Sequence, residues 1–460
     1  MNRFLHFIFV GLLLAGCQDK EDNSKGVYFA GEIVNPTDRQ VVLFKGEKAI
    51  DSVELDENNR FVFSLDSVQE GLHHFYHHPE MQYLYLENGD SLQARLNTVD
   101  FDESLVFSGK GEEINNLLLE IFLGTEQEED LVYSFYDLEP GIFSLKIDSL
   151  QNYKLNLLDK SMFEFEFSYK AYEMVKAGIV YNSNISKEAY PFYHSRRSGE
   201  NNMHELPDFF YQYRKDIDYN NQELTYLRPY YNFMKFHLGN LAYTSCKNNC
   251  GTNPKVAGKK LHFNKHQLKL IDSLITQKEL RDNLFRNVAI DYLLKHDSEE
   301  NTKIFIEDFH KLSKNNKHNE EINNLYEGVI SMQPTKALPA LAFTNYDGDE
   351  VMLSEVDKGH QVVFYFWSSA ELGHFKNVIK QVAKLKQQHP KYHFVGISLR
   401  TDEKRWRGLV DTYGLDKKEQ LWINDYGKAA RALLVNNPNK SIIAKDGIII
   451  DAFANIYRSF

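Results

Sequence analysis

Cysteine is scarce in this sequence, with three in 460 residues, at positions 17, 246 and 250. So few thiols leave Cys246 and Cys250 as the one pair able to do redox work once Cys17 is assigned below. Basic clusters are missing as well. The formal net charge is −12 and no stretch concentrates lysine and arginine, so nucleic acid, which is bound through such patches, is not an expected partner. Long apolar runs are also lacking. The mostly apolar stretch Phe4 to Leu14 falls short of the ~20 residues that a spanning helix needs. Length, by contrast, is ample for two to four domains.

The N-terminus has one early positive charge, Arg3, then that apolar stretch, then small residues before a cysteine. This is the pattern of an export signal rather than of an anchor helix. Leu14-Ala15-Gly16-Cys17 resembles the bacterial lipobox, which implies that residues 1–17 are a lipoprotein signal and that Cys17 becomes the lipidated first residue. An ordinary cleaved signal with an incidental cysteine is the alternative. Residues 18–26, which open with Gln18-Asp19-Lys20-Glu21-Asp22, read as a solvated tether. The same acidic run resembles the export signal that carries Bacteroidota lipoproteins to the cell surface. The expectation is an outer-membrane lipoprotein, on the periplasmic face or the cell surface, with the membrane as partner through Cys17.

Near the other end, the apolar Val362-Val363-Phe364-Tyr365-Phe366 runs into Trp367 and then a helix start. Phe375, Val378, Ile379, Val382 and Leu385 follow at helical spacing, and Phe394 to Leu399 reads as a second buried strand. Upstream stand Ala337 to Phe343, Asp347-Gly348 and Leu353-Ser354, a hairpin pattern. Downstream, Pro438 precedes Ser441 to Ala444, a turn at Asp446-Gly447, and Ile448 to Ile450. This order, over residues 334–460, resembles the thioredoxin superfamily in its TlpA-like branch. The resemblance implies an α/β thioredoxin-like domain with Pro438 as the family's cis-proline.

Aligned on the strand and Trp367, the family's two Cys-x-x-Cys positions fall on Glu371 and His374. Thiol–disulfide exchange needs a thiolate at a helix N-terminus and a second thiol to resolve the mixed disulfide. Carboxylate and imidazole supply neither, so no catalytic residue is expected. The resemblance instead implies a vestigial groove for extended peptide, lined by Trp367, Glu371, His374, Asn437 and Pro438. Ser368-x-x-Glu371 also fits a capping box, which would start the helix earlier than the family register does. A Glu–His metal or acid–base pair is a further alternative; a structural role is preferred.

Residues 27–111 read as short strands: Val27 to Ile33, Val41 to Phe44, Phe61 to Phe63 after a turn at Asn58-Asn59, Tyr83 to Leu86, then Leu92 onward. With Gly31, Asp51-Ser52, Gly89-Asp90 and Phe107 to Gly111, they resemble the β-sandwich-like domain that precedes TlpA-like domains in Bacteroidota lipoproteins. Within it stands His73-His74-Phe75-Tyr76-His77-His78. On a strand, alternation puts His73 and His77 on one face, about 13 Å apart. That is too far for one metal ion, so an exposed edge or loop is expected there.

Residues 112–333 turn helical and polar, beginning at Asn115-Asn116-Leu117-Leu118-Leu119, with an amphipathic stretch at Gln267 to Ile275. The aromatic-dense Phe209 to Arg214 and Leu227 to Tyr231 read as core rather than as a ligand platform. Cys246 and Cys250, in what reads as a Gly/Asn-rich loop, form C-x3-C-x11-H-x3-H with His262 and His266. In an exported protein two close cysteines usually pair, so a disulfide is favoured over zinc or free thiols. The expected fold class is therefore multidomain α+β: β-sandwich-like, helical, then α/β thioredoxin-like. No metal site and no cofactor are expected. The favoured function is a redox-inactive, lipid-anchored module that binds peptide or protein at the outer membrane. A thiol–disulfide oxidoreductase is the alternative, and metal handling by the histidines comes third.

Overall fold

The computed structural model describes residues 26–199, 206–250, 260–295, 297–356 and 358–460, with the backbone alone at 248–250. Cys17, the signal and the tether up to residue 25 lie outside the described residues. Two compact units are formed, Met1–Asp216 with Glu223–Phe233, and Ile217–Gln222 with Met234–Phe460. The parting falls inside the 112–333 segment. Among the described residues no helix is long and apolar enough to cross a membrane.

Among the described residues of the first unit, eight strands make two four-stranded sheets. One runs β4 (Arg60–Leu65), β1 (Val27–Val34), β7 (Ser91–Asn97), β8 (Val106–Lys110); the other runs β3 (Lys48–Glu54), β2 (Gln40–Lys45), β5 (Gly71–His77), β6 (Glu80–Leu86). Alternation turns Phe29, Phe61, Phe63 and Leu92 of one sheet and Leu43, Phe75 and Leu84 of the other into one core, as two stacked sheets require. The rings of Phe29 and Phe75 meet across it at 5.5 Å.

A short helix, α1 (Phe101–Ser104), precedes β8, and α2 (Glu112–Gln127) follows it. The first turn of α2 locks onto the strands. The Asn115 amide accepts from Tyr85 N at 2.7 Å and donates to Tyr85 O at 2.9 Å. Asn116 does the same for the Phe107 peptide at 3.0 and 2.9 Å. Helices α3 (Glu129–Phe135), α4 (Pro140–Phe165) and α5 (Tyr169–Ser198) complete the unit. Phe210 is buried with Tyr136, Phe143 and Tyr190, and Tyr230 is buried as well, so those two aromatics are core. Phe209 is exposed.

The histidine run corrects an expectation. It lies on β5, an inner strand flanked by β2 and β6, and His73 and His77 are each 1% exposed. The alternation holds, but the edge does not, because His77 replaces solvent with fixed partners. Its Nδ1 donates to Gln40 O at 3.1 Å and its Nε2 accepts from Thr37 N at 3.2 Å.

Besides Ile217–Gln222, the second unit takes α6 (Arg228–Cys250) from Met234 on and continues through α7 (Lys260–Leu274), α8 (Lys278–Leu294), α9 (Glu299–Leu312) and α10 (Asn319–Ser331). Helix α7 packs on α8 and α9, and α8 on α10. The cysteine segment expected as a loop is the last turn of α6. Buried Met234, Leu238, Ala242 and Cys246 recur every four residues, and that apolar stripe carries the helix through the Asn-rich stretch.

A seven-stranded sheet then runs β10 (Glu350–Met352), β9 (Ala342–Thr344), β13 (Gln420–Trp422), β12 (Tyr392–Ser398), β11 (Gln361–Trp367), β14 (Lys440–Lys445), β15 (Ile448–Asn455). Strands β11, β12 and β13 are mutually parallel and β14 is antiparallel to β11. Helix α11 (Leu372–Gln388) follows β11, α12 (Glu403–Thr412) follows β12 and α13 (Tyr426–Ala432) follows β13. The β14–β15 turn has Asp446 at φ 51° and Gly447 at φ 76°, the paired left-handed conformation of a two-residue hairpin.

Burial first, then the charge of Lys45, push the His73 imidazole down to about 4, against a rise from its bond to the Gly71 carbonyl. An unfolded imidazole takes its proton near 6.5, so the folded chain binds fewer protons between these values. The stability this contributes is complete above pH 6.5 and drains away as pH falls toward 4, by roughly 3 kcal/mol in all. Urea midpoints of the first unit at about pH 7.5 and about pH 4.5 check this. The His73→Gln variant should show a flatter dependence, and an equally steep one would assign it to other groups.

Candidate functional site

The C-terminal ends of parallel strands collect loops at the reversal of strand order, where open α/β sheets place their sites. Here β11, β12 and β13 run outward in sequence order and the reversal comes at β11, whose other neighbour is β14; β11 and β12 end at Trp367 and Ser398. The chain leaves β11 through Ser368 to Glu371 and enters α11 with Glu371 as N-cap, its carbonyl accepting from Phe375 N at 2.9 Å. The family register is therefore the correct one. The capping box is not formed, because Ser368 stands three residues before the N-cap and its hydroxyl accepts from Ala370 N at 3.1 Å. Leu372, Gly373 and His374 fill the first turn.

Trp367, Glu371, His374, Asn437 and Pro438 are brought together around one cleft of about 120 Å³. An engineered cavity of about 150 Å³ admits benzene, so the cleft has room for one side chain of moderate size. Trp367 forms its wall rather than its floor. The indole is 2% exposed and lies against Phe375 at 4.7 Å. Its Nε1 donates to Gln420 Oε1 at 3.2 Å, while Gln420 Nε2 donates to the Tyr365 hydroxyl at 3.2 Å. Gly396 makes room for this chain of contacts, since a Cβ there would stand 2.5 Å from Gln420 Oε1 and 2.8 Å from the Tyr365 ring.

Glu371 is exposed, whereas His374 is half-buried. Both ring nitrogens of His374 are shut off from solvent and, among the described residues, neither has a hydrogen-bond partner. Burial lowers the His374 pKa. The Glu371 carboxylate, the Asn439 side chain and the Pro438 backbone oppose this more weakly. Burial therefore favours the neutral imidazole.

Pro438 departs from the family pattern. Among the described residues the cis peptide bond is His78–Pro79, and the bond before Pro438 is trans. Asn437 O accepts from Lys440 N at 3.0 Å and Asn437 Oδ1 from Asn439 N at 2.8 Å. Pro438 thus sits second in a four-residue turn, where its fixed φ suits a trans peptide.

Arg400, Tyr426 and Asn436 also line the cleft and escaped sequence reasoning. The Arg400 guanidinium lies over the Tyr426 ring at 4.5 Å. Placement just past the end of β12 was the available signal. Cys246, the remaining described candidate, is buried on α6, outside this sheet. The Cys250 side chain lies outside the described residues.

No family model and no curated protein matches the chain. Solved structures resemble part of it. They include the thioredoxin domain of a thiol-disulfide oxidoreductase from Bacteroides vulgatus, with 17% identity over 26% of this chain and 88% of that one and a TM-score of 0.22. A thiol-disulfide oxidoreductase from Bacteroides fragilis shares 18% identity over 25% and 87%, TM-score 0.21. A secreted disulfide oxidoreductase from Mycobacterium tuberculosis shares 21% over 25% and 83%, TM-score 0.21. At these identities the likeness concerns fold alone. Strand order and connectivity, with Trp367 leading into α11, are thioredoxin-like in the sheet of the second unit.

If α11 still begins as a thioredoxin-like helix does, the double substitution Glu371→Cys with His374→Cys restores the N-cap and first-turn thiol positions. The variant should form a disulfide between the new thiols and reduce insulin after reductant treatment, while the parent chain stays inert. The more exposed new thiol should titrate below the usual value of about 8.5, because the helix N-terminus favours its thiolate. Alkylation followed by peptide mapping reads both. Two thiols that stay reduced under oxidant would mean that the helix start is displaced.

Proposed function

We propose that this protein is a lipid-anchored envelope protein whose thioredoxin-like domain binds a protein or peptide partner and carries no redox chemistry. One observation supports this most. The cleft at the helix start is kept, at about 120 Å³, while the thiol positions hold Glu371 and His374. A redox site stripped of thiols could have filled in. This one leaves two buried imidazole nitrogens in the lining of a hole of side-chain size, a cost of about 1–3 kcal/mol per buried unpaired group that a bound donor or acceptor would relieve once the ring turns toward it.

The turn at Asn437–Lys440 changes how a partner would be held. Asn437 O is already engaged by Lys440 N, so strand-like pairing beside the proline loses an acceptor. Recognition falls to side chains instead. Glu371 and Arg400 offer opposite charges and Tyr426 offers a face, while His374, whose ring nitrogens are shut off from solvent, offers a donor or acceptor only once its ring turns. The occupant that fits is a single polar or aromatic side chain presented by a partner polypeptide. The anchor is assigned to Cys17 from Leu14-Ala15-Gly16-Cys17, with the membrane as second partner and the outer membrane as location.

The test uses the mature chain in membranes. Wild type should partition into detergent and Cys17→Ser into the aqueous phase. Partner capture by crosslinking should fall about five- to tenfold in His374→Ala and in Asn437→Ala, the loss expected of a contact worth about 1 kcal/mol. Insulin reduction should be absent. Thiol-dependent turnover that disappears when Cys246 and Cys250 become serine would overturn the binding reading in favour of an oxidoreductase. Unchanged capture across both alanine variants would reduce the cleft to scaffold.

A further inference from the structure

Three groups with metal-ligand chemistry, none of them lining the cleft, converge in the helical part of the second unit. Cys246 comes from the last turn of α6, and His262 and His266 come from the first turns of α7. One sulfur and one nitrogen from each ring all lie within 4.8 Å of one another. The two histidines are four residues apart on a helix, which stacks them on one face, and their ring centroids stand 4.7 Å apart.

We propose that Cys246, His262 and His266 form a zinc site that clamps the end of α6 to the start of α7. A tetrahedral ion with Zn–S near 2.3 Å and Zn–N near 2.0–2.1 Å holds its ligand atoms about 3.3–3.6 Å from each other. From separations within 4.8 Å, closure needs a shift of about an ångström, within the reach of side-chain torsions. Thiolate with imidazole selects a borderline-soft ion and disfavours calcium or magnesium, which take oxygen. A second observation is independent of the spacing: His262 Nε2 is shut off from solvent and, among the described residues, has no hydrogen-bond partner. A buried imidazole nitrogen with an open lone pair costs stability unless something fills it, and a metal ion does so.

The competing chemistry for Cys246 is a disulfide with Cys250, four residues on in the same helix. Cβ atoms at that helical spacing stand about 5–6 Å apart, whereas a disulfide holds them at about 3.5–4.5 Å. The C-terminal end of a helix also carries partial negative charge, which disfavours a free thiolate. A bound cation reverses that penalty. Three protein ligands leave one tetrahedral position, open to water.

The experiment titrates the reduced full-length chain with cobalt(II), a spectroscopic stand-in for zinc, and measures zinc retained after purification without chelators. One equivalent should bind, giving a thiolate-to-cobalt charge-transfer band and the strong visible bands of a tetrahedral centre, and zinc should displace it. Cys246→Ser should abolish the charge-transfer band. His262→Gln, a substitution on a half-buried face, should weaken cobalt binding by at least the roughly 10–100-fold that loss of an outer partner costs, with unchanged circular dichroism. Thermal denaturation adds a reading free of the chromophore: zinc should raise the midpoint of wild type and leave that of His262→Gln unmoved. Absence of cobalt uptake by natively folded wild type would overturn the site. So would a spectrum unaltered by Cys246→Ser, or peptide mapping that finds Cys246 joined to Cys250 in protein isolated without reductant.

Discussion

From Val362 to Trp367 every side chain of β11 is buried, and a strand buried on both faces needs a hydrogen-bonded neighbour on each edge and a layer over each face. Strands β12 and β14 take the edges. On one face Val363, Tyr365 and Trp367 meet Phe375, Val378, Val382 and Leu385 of α11, with Trp406 and Val410 of α12 beside them. The helix has no freedom to start elsewhere. Because Trp367 must lie against Phe375, the chain has the four residues Ser368 to Glu371 in which to leave the sheet and turn into α11. The cleft is what that forced turn leaves open, between the helix start and the loop that feeds β14. Its position follows from the core and would survive any change of chemistry at 371 and 374.

That separation of scaffold from chemistry lets the residues at 371 and 374 vary without changing the shape of the site. The positive end of the α11 dipole faces the cleft. In a redox enzyme such an end stabilises a thiolate. Here it meets the Glu371 carboxylate, a charge of suitable sign at the N-cap, and a His374 ring whose neutral form burial favours. Cation against dipole is thereby disfavoured. The buried polar chain through Trp367, Gln420 and Tyr365 is fully donor-to-acceptor and rigidifies the wall behind the cleft. Its members fit only because position 396 is glycine.

Much of the thioredoxin-like domain was legible because its signals are strong and local. An apolar strand, a helical repeat from Phe375 to Leu385 and an Asp-Gly hairpin each specify one structure. The positions of Trp367, Glu371 and His374 followed from order along the chain. What failed was whatever depended on non-local compensation. Pro438 looked like the family's cis-proline from order alone, yet the Asx-type turn made by Asn437 holds it trans. The segment at Cys246 looked like a loop from its asparagines, although an apolar stripe begun at Met234 carries the helix on. Ser368 looked like a helix cap, but it serves its own short turn. Arg400 and Tyr426 joined the site through sheet topology, which one sequence does not display.

The histidines show the same physics most sharply. The run His73 to His78 is the densest imidazole signal in the sequence, and as a strand it disperses its rings. A strand rises about 3.3 Å per residue, so side chains four apart on one face stand about 13 Å from each other. A helix rises about 1.5 Å per residue, so the same interval brings them within about 6 Å. Density along the chain therefore says little about coordination until the period is known. His73 and His77 end as buried core residues, His77 bonded to backbone on both ring nitrogens. His262 and His266, thinly spaced in sequence, end side by side with a thiol from another helix. Convergence of that kind is a tertiary event. It arises where the buried stripe of α6 runs on to Cys246, and that stripe follows from core packing rather than from any pattern among the ligands themselves.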